Sequence, residues 1–135
     1  VRSIHGVAYT RLWDSELVAT VRERPLGTTA LGALKELMLA RMRLPDHPEA
    51  KRFIAAIRDT PQLSAYWREI GRRHRDTLAR VLAEAWDRDE DDPYAQVVAT
   101  IVLDLRQEAI TSDTAAHIVD ATFDLLERGL PFESQ

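Results

Sequence analysis

The 135 residues are enough for one domain, which at this size buries roughly two thirds of the surface its unfolded chain exposes, so a core can form without covalent staples. Hydrophobic residues make up 45% and charged residues 30%, which excludes a disordered chain; 18 basic against 22 acidic side chains leave a formal charge of -4 and no overall cationic field for gripping a nucleic-acid backbone. The absence of cysteine excludes disulfides, thiolate metal sites and cysteine nucleophiles; with no apolar run near the roughly eighteen residues of a membrane span and no signal-peptide succession, the expected setting is cytoplasmic.

The chain reads as helices throughout. Over residues 5–23, Val7, Leu12, Leu17, Val18 and Val21 form an imperfect apolar stripe that "RERPLG" stops. A second helix over 28–43, rich in Ala and Leu, ends at "LPDHP". A third opens at Asp46 or His47 with Pro48 and places Ala50, Phe53, Ile54 and Ile57 on one face until "DTP". Thr60 with Pro61 predicts the next start. The threonine oxygen can accept an orphan amide, and proline has no amide to leave unpaired at the first helical position. This fourth helix runs to about residue 86. The acids of "DRDEDDP" then read as an exposed loop, and Asp92 with Pro93 repeats the capped start of a fifth helix over 93–109. "ITSD" separates it from a sixth over 114–128, which Gly129 and Pro131 terminate. There is no internal repeat, low-complexity tract or interdomain linker.

On a helical wheel the fourth helix gathers Leu63, Tyr66, Trp67, Ile70, His74, Leu78, Val81 and Ala85 on one broad arc. Arg68, Arg72 and Arg75 fall nearly opposite, away from the aromatics, so they do not make a base-stacking groove. Glu69 to Arg73, Arg72 to Asp76, Asp76 to Arg80 and Arg80 to Glu84 are four apart, each such pair adding about 0.2–0.5 kcal/mol on an exposed face. A solvated, charge-laced outer face is the expectation.

His74 lies at the centre of the apolar arc, where an unsatisfied imidazole would cost roughly 1–3 kcal/mol. Two readings stand: a satisfied core or partly exposed histidine, or a polar anchor in a small-molecule pocket beside the rigid aromatic surface of Tyr66 and Trp67. No second ligand lies three or four residues away on its face, which counts against a metal.

In the fifth helix, Val97, Val98, Ile101, Val102, Leu103, Leu105 and Ile110 cover more than half the circumference, so the helix needs cover from more than one side. Arg106 lies in that apolar sector and needs a carboxylate or carbonyl partner. The sixth helix gathers Ala115, Ile118, Val119, Thr122, Phe123, Leu125, Leu126 and Leu130 on one arc, with His117, Asp120, Asp124 and Glu127 on the other. The spacing of His117, Asp120 and Asp124 matches metal ligands, but it is frequent on any solvated face, so no metal and no cofactor is expected. Two broad apolar faces at the end of the chain suit either a two-fold interface or interior packing. No HExxH, phosphate loop or nucleophile elbow occurs, and water would level the acidities of the loop carboxylates, so an enzyme is not expected.

The order of elements, with "ALGALKELMLARMR", "TPQLSAYWRE", "LARVLAEAW", "DDPYAQVVA", "LDLRQEA" and "DTAAHIVDATFDLLERGL", resembles the carboxy-terminal domain of TetR-family transcriptional regulators over about residues 26–130. The resemblance implies an all-α fold of about six helices, the last two forming a four-helix bundle across a homodimer. Residues 1–24 would be the connecting helix and 25–135 the ligand-binding and dimerisation domain. That family's helix-turn-helix domain has no counterpart here, so no DNA-binding residue is expected in this chain. By helix face, a small and probably apolar effector would meet Met38, Met42, Trp67, Ile70, His74, Ile101 and Leu105. The dimer interface would take Val98, Val102, Ile118, Thr122, Leu125 and Leu126. The competing expectation is a structural or protein-interaction helical domain without a small-molecule ligand.

Overall fold

The computed structural model describes residues 15–42, 52, 55–57, 59–111 and 116–130, and among these every regular element is helical. Six helical segments follow in order: α1 over 15–22; α2, Ala30–Met42; α3, of which residues 52, 55–57 and 59 are described; α4, Pro61–Ala85; α5, Pro93–Thr111; and α6, Ala116–Gly129. Among the described residues, no helix is long and apolar enough to cross a membrane. Val7, Leu12, the "LPDHP" break, Ala50, Phe53, Ile54, the "ITSD" break, Ala115 and Pro131 lie outside the described residues, as do the side chains of Arg106 and Ile110.

The connection from α1 to α2 is specified locally. Thr28 N–H donates to Pro25 O at 3.1 Å, closing a turn whose third residue, Gly27, has φ 86. That left-handed position is one glycine occupies without the penalty a Cβ brings. Arg24 braces the turn, its Nη1 donating to Val21 O (2.8 Å) and its Nε to Thr28 O (3.1 Å). Thr29 then caps α2, its Oγ1 accepting from Gly32 N–H at 2.9 Å. A Cβ at Gly32 would stand 2.9 Å from that same oxygen, so the glycine lets the cap approach.

The core is one cluster. Leu17 and Val21 of α1, Leu31, Leu34 and Met38 of α2, Leu78, Val81 and Leu82 of α4, Val98 and Val102 of α5, and Val119 and Phe123 of α6 are all fully buried in it. Within it α4 packs mainly on α5, and α2 on α6. An ion pair between Lys35 Nζ and Asp120 Oδ1 (2.9 Å) ties α2 to α6 at the surface.

The structure corrects three details of α4. Its apolar arc is buried only from Leu78 onward; Leu63 and Tyr66, read as inward, are 45% and 63% exposed. The reason is length. At about 1.5 Å per residue, 25 residues rise roughly 37 Å while the 19 of α5 rise roughly 28 Å, so one end of α4 overhangs its main partner. Thr60 does start the helix with extended backbone and Pro61 follows, but its side chain makes no cap bond; Ser64 N–H donates to the Thr60 carbonyl instead. Of the charge pairs, Glu69 does meet Arg73 (3.9 Å), but Arg72 turns to Glu69 (3.0 Å), and Asp76 is met by Arg75 (3.2 Å).

The end of α4 is set by backbone. Asp87 N–H donates to Glu84 O (3.2 Å) and Arg88 N–H to Ala83 O (2.8 Å), the paired bonds of a Schellman stop, with Asp87 at φ 55. Glycine is the residue best suited to that position. Asp87→Gly is therefore expected to raise stability by about 0.5–1 kcal/mol in urea unfolding; a loss of stability would mean the Asp87 side chain contributes more than its backbone strain costs.

The acidic loop also departs from expectation. Asp92, read with its neighbours as solvated, is 5% exposed while residues 87–91 face water. It caps α5 as its position predicts, Oδ2 accepting from Ala95 N–H at 3.1 Å, and its Oδ1 accepts from Arg88 Nε at 2.7 Å. The Arg88 guanidinium in turn lies 5.5 Å from the centre of the Tyr94 ring. Burial pushes the Asp92 pKa up, but the hydrogen bond from Arg88, the Ala95 amide, the Arg88 charge and the Tyr94 amide outweigh it. The carboxyl is held below its ordinary value. α5 continues to Thr111, two residues past its expected end, and α6 closes at Gly129 with Leu130 N–H donating to Leu126 O (3.1 Å).

Candidate functional site

On α6 the residues read as one apolar arc divide into two faces. Val119, Phe123 and Leu130 turn into the core with Leu126 beside them, while Ile118 and Leu125, seven residues apart, stay exposed. Ala121, Thr122 and Gly129 continue the outward stripe at helical spacing, and Thr122 is half-buried. α5 divides the same way. Ala95, Val98, Ala99 and Val102 point inward; Tyr94 and Val97 point out, with Ile101 half-buried one turn beyond.

Where the start of α5 meets the end of α6, the outward stripes enclose an open apolar groove of about 440 Å³. Tyr94 and Val97 form one bank, Leu125 and Leu126 the other, and Val98 the floor. Val97 is 57% exposed and Leu125 70%, high values for aliphatic side chains that stand together. Also on α6, Arg128 Nη2 and Asp124 Oδ2 pair at 3.2 Å. Exposed aliphatic and aromatic side chains gathered in one patch mark a contact surface.

Of the six residues assigned to an interface, Ile118 and Leu125 lie on this outward face, with Thr122 and Leu126 at its half-buried margin. Val98 is buried at the groove floor, and Val102 is wholly inside the chain's own core. Tyr94 and Val97 belong to the face but were not assigned to it. Spacing alone does not single them out, because Val98, four residues from Tyr94, lies as near to it on the helix as Val97 does.

The seven residues assigned to a ligand cavity are scattered over different environments. Met38 and Leu105 are buried in the core, Met42 and Ile101 are packed partly against it, and Trp67, Ile70 and His74 are half-buried along α4. Trp67 lines a separate cleft of about 330 Å³ between α4 and α5, and none of the other six contributes to it. His117, Asp120 and Asp124 all face water, where Asp120 holds Lys35 and Asp124 holds Arg128. No cluster of three or more His, Asp or Glu suited to a metal occurs among the described residues. No family model, curated protein or solved structure matches this chain.

Proposed function

We propose that this chain is the effector-sensing and homodimerisation module of a TetR-like transcriptional regulator, with DNA contacted by a separate helix-turn-helix domain. In this reading the chain binds rather than catalyses. A small, largely apolar effector bound among α2, α4 and α5 shifts those helices and so the spacing of two DNA-reading heads. The observation that carries the proposal is the apolar face of α5 and α6, where Tyr94, Val97 and Leu125 stand exposed around an open groove and Ile118 is exposed two turns back along α6. In a two-fold arrangement the same patch serves both copies, and two such helix pairs make a four-helix bundle.

Sedimentation velocity on the wild-type chain and on Leu125→Asp tests it. The wild type is expected to be a dimer at micromolar concentration. Because one substitution enters a two-fold interface twice, and burying a leucine contributes about 1.5–3 kcal/mol, Leu125→Asp should raise the dimer Kd by about 100-fold or more. Its circular dichroism and melting should remain those of the wild-type monomer, since Leu125 is not part of the core. A wild-type chain that stays monomeric at high concentration would sink the proposal in favour of a structural or protein-interaction domain.

A further inference from the structure

We propose that the cleft between α4 and α5 binds a small aromatic monoanion, its carboxylate received by Arg68, Arg72 and Arg75 and its ring laid against Trp67. On α4 the wall consists of Trp67, Arg68, Gly71, Arg72 and Arg75. Positions 68, 71, 72 and 75 follow the spacing of a single helical stripe, so three guanidiniums project along one side of the opening. The cleft's volume of about 330 Å³ falls within the range of small-molecule sites.

The charge inside the cleft is not the charge of the helix as a whole. Glu69 answers Arg72 and Arg73, and Asp76 answers Arg75, but neither carboxylate lines the cleft. Arg68 reaches only Ser64 Oγ, at a long 3.4 Å, and has no carboxylate partner among the described residues. The Nε of Arg75 is buried and, among the described residues, has no hydrogen-bond acceptor. Arg68, which lines the cleft with only its long contact to Ser64, is left to take an acceptor placed there. A carboxylate presents two such acceptors in the plane an arginine fork matches.

The opposite wall sets the rest of the ligand. Leu103 is buried and gives an apolar floor next to the half-buried Trp67 indole. Asp104, from α5, supplies one negative charge to the same space. It disfavours polyanions such as a nucleic-acid backbone and can accept a hydrogen bond from a ligand hydroxyl or amine. Gly71 completes the shape. It lies in the interior of a helix, where glycine costs stability relative to alanine, yet a Cβ there would meet nothing within 4 Å. Neither packing nor backbone conformation requires a glycine; what it leaves is open volume in the cleft wall.

The site belongs to α4 and α5 of one chain, so it stands with or without a dimer and rests on the proposed regulatory role only for the consequence of binding. Isothermal titration with sodium 2-naphthoate, with neutral 2-naphthamide and with a short DNA duplex tests it on the wild-type, Arg75→Gln and Gly71→Leu chains. One naphthoate should bind per chain, with naphthamide weaker by about tenfold or more for want of the charge-assisted hydrogen bonds. Arg75→Gln should weaken naphthoate by a similar factor. Gly71→Leu should abolish its binding while melting no lower than the wild type, since leucine is the better helix former. Equal binding of acid and amide, undiminished binding to Gly71→Leu, or displacement of naphthoate by the duplex would each overturn the assignment. Sedimentation of the same samples separates the two proposals: a monomer that binds naphthoate counts against the regulator alone, and a dimer that does not counts against this site alone.

Discussion

Phe123→Ala is expected to remove about 3–5 kcal/mol of stability, a large part of the roughly 5–15 kcal/mol that holds a domain of this size folded. Phe123 is among the largest fully buried side chains and lies in the central cluster, on the helix that packs against α2. Truncation removes the transfer free energy of the ring and leaves a cavity, because a core joining five helices cannot collapse around one missing side chain without moving several backbones. The loss should appear in urea unfolding as a lower midpoint with an unchanged slope. Leu125, two residues further along, provides the control. It points the other way, so Leu125→Ala should leave the monomer's midpoint within about 0.5 kcal/mol of wild type. Near-equal effects of the two substitutions would show that α6 docks in solution by a different face.

The second large effect concerns Asp92. Its carboxylate caps α5 through Ala95 N–H and accepts from Arg88 Nε, and it is buried while doing both. Asp92→Ala leaves a helix-terminal amide and a guanidinium without their shared acceptor, so the melting temperature should fall by several degrees at neutral pH. The pH dependence follows from the direction of the shift. The folded-state pKa lies below the ordinary 3.8, so the unfolded chain takes up the proton first. The stabilisation is present above the unfolded value and is lost as pH falls through the folded one. Wild type and Asp92→Ala should therefore differ most at neutral pH and converge in strong acid. Melting curves measured from neutrality to below pH 3.8 would refute the cap's role if the gap stayed constant.

Much of the fold is legible from local signals because local physics decides them. Proline after Thr60 and after Asp92 marks two helix starts, and the spacing of Leu17 with Val21 or of Val119 with Phe123 marks faces that must be covered. The Asp92 cap and its Arg88 partner are likewise within four residues of each other. That this acid alone among its neighbours is buried is not legible, because "DEDD" is equally polar throughout and only the docking of α5 on α4 takes Asp92 out of water.

The candidate sites depend more heavily on tertiary structure. A helical wheel places side chains on a common arc but does not say what covers it. On α6 the partner helices take Val119 and Phe123 and leave Ile118 and Leu125 exposed, although all four belong to the same sequence arc. On α4 the arc is real, yet Leu63 and Tyr66 stay exposed because the helix outruns its main partner. The arginines show the same limit from the other side. Their spacing alone makes Arg68, Arg72 and Arg75 a solvated face; bringing Thr100, Leu103 and Asp104 alongside turns that face into one wall of a cleft. Sequence by itself determined that the described residues are helical, where α4 and α5 begin and which residues share a stripe, because backbone and side-chain physics within one or two turns decide these. Only the packing of α5 against α4 and of α6 against α2 decided which stripes are core, which stay open and which charges meet, because those outcomes depend on residues distant in the chain.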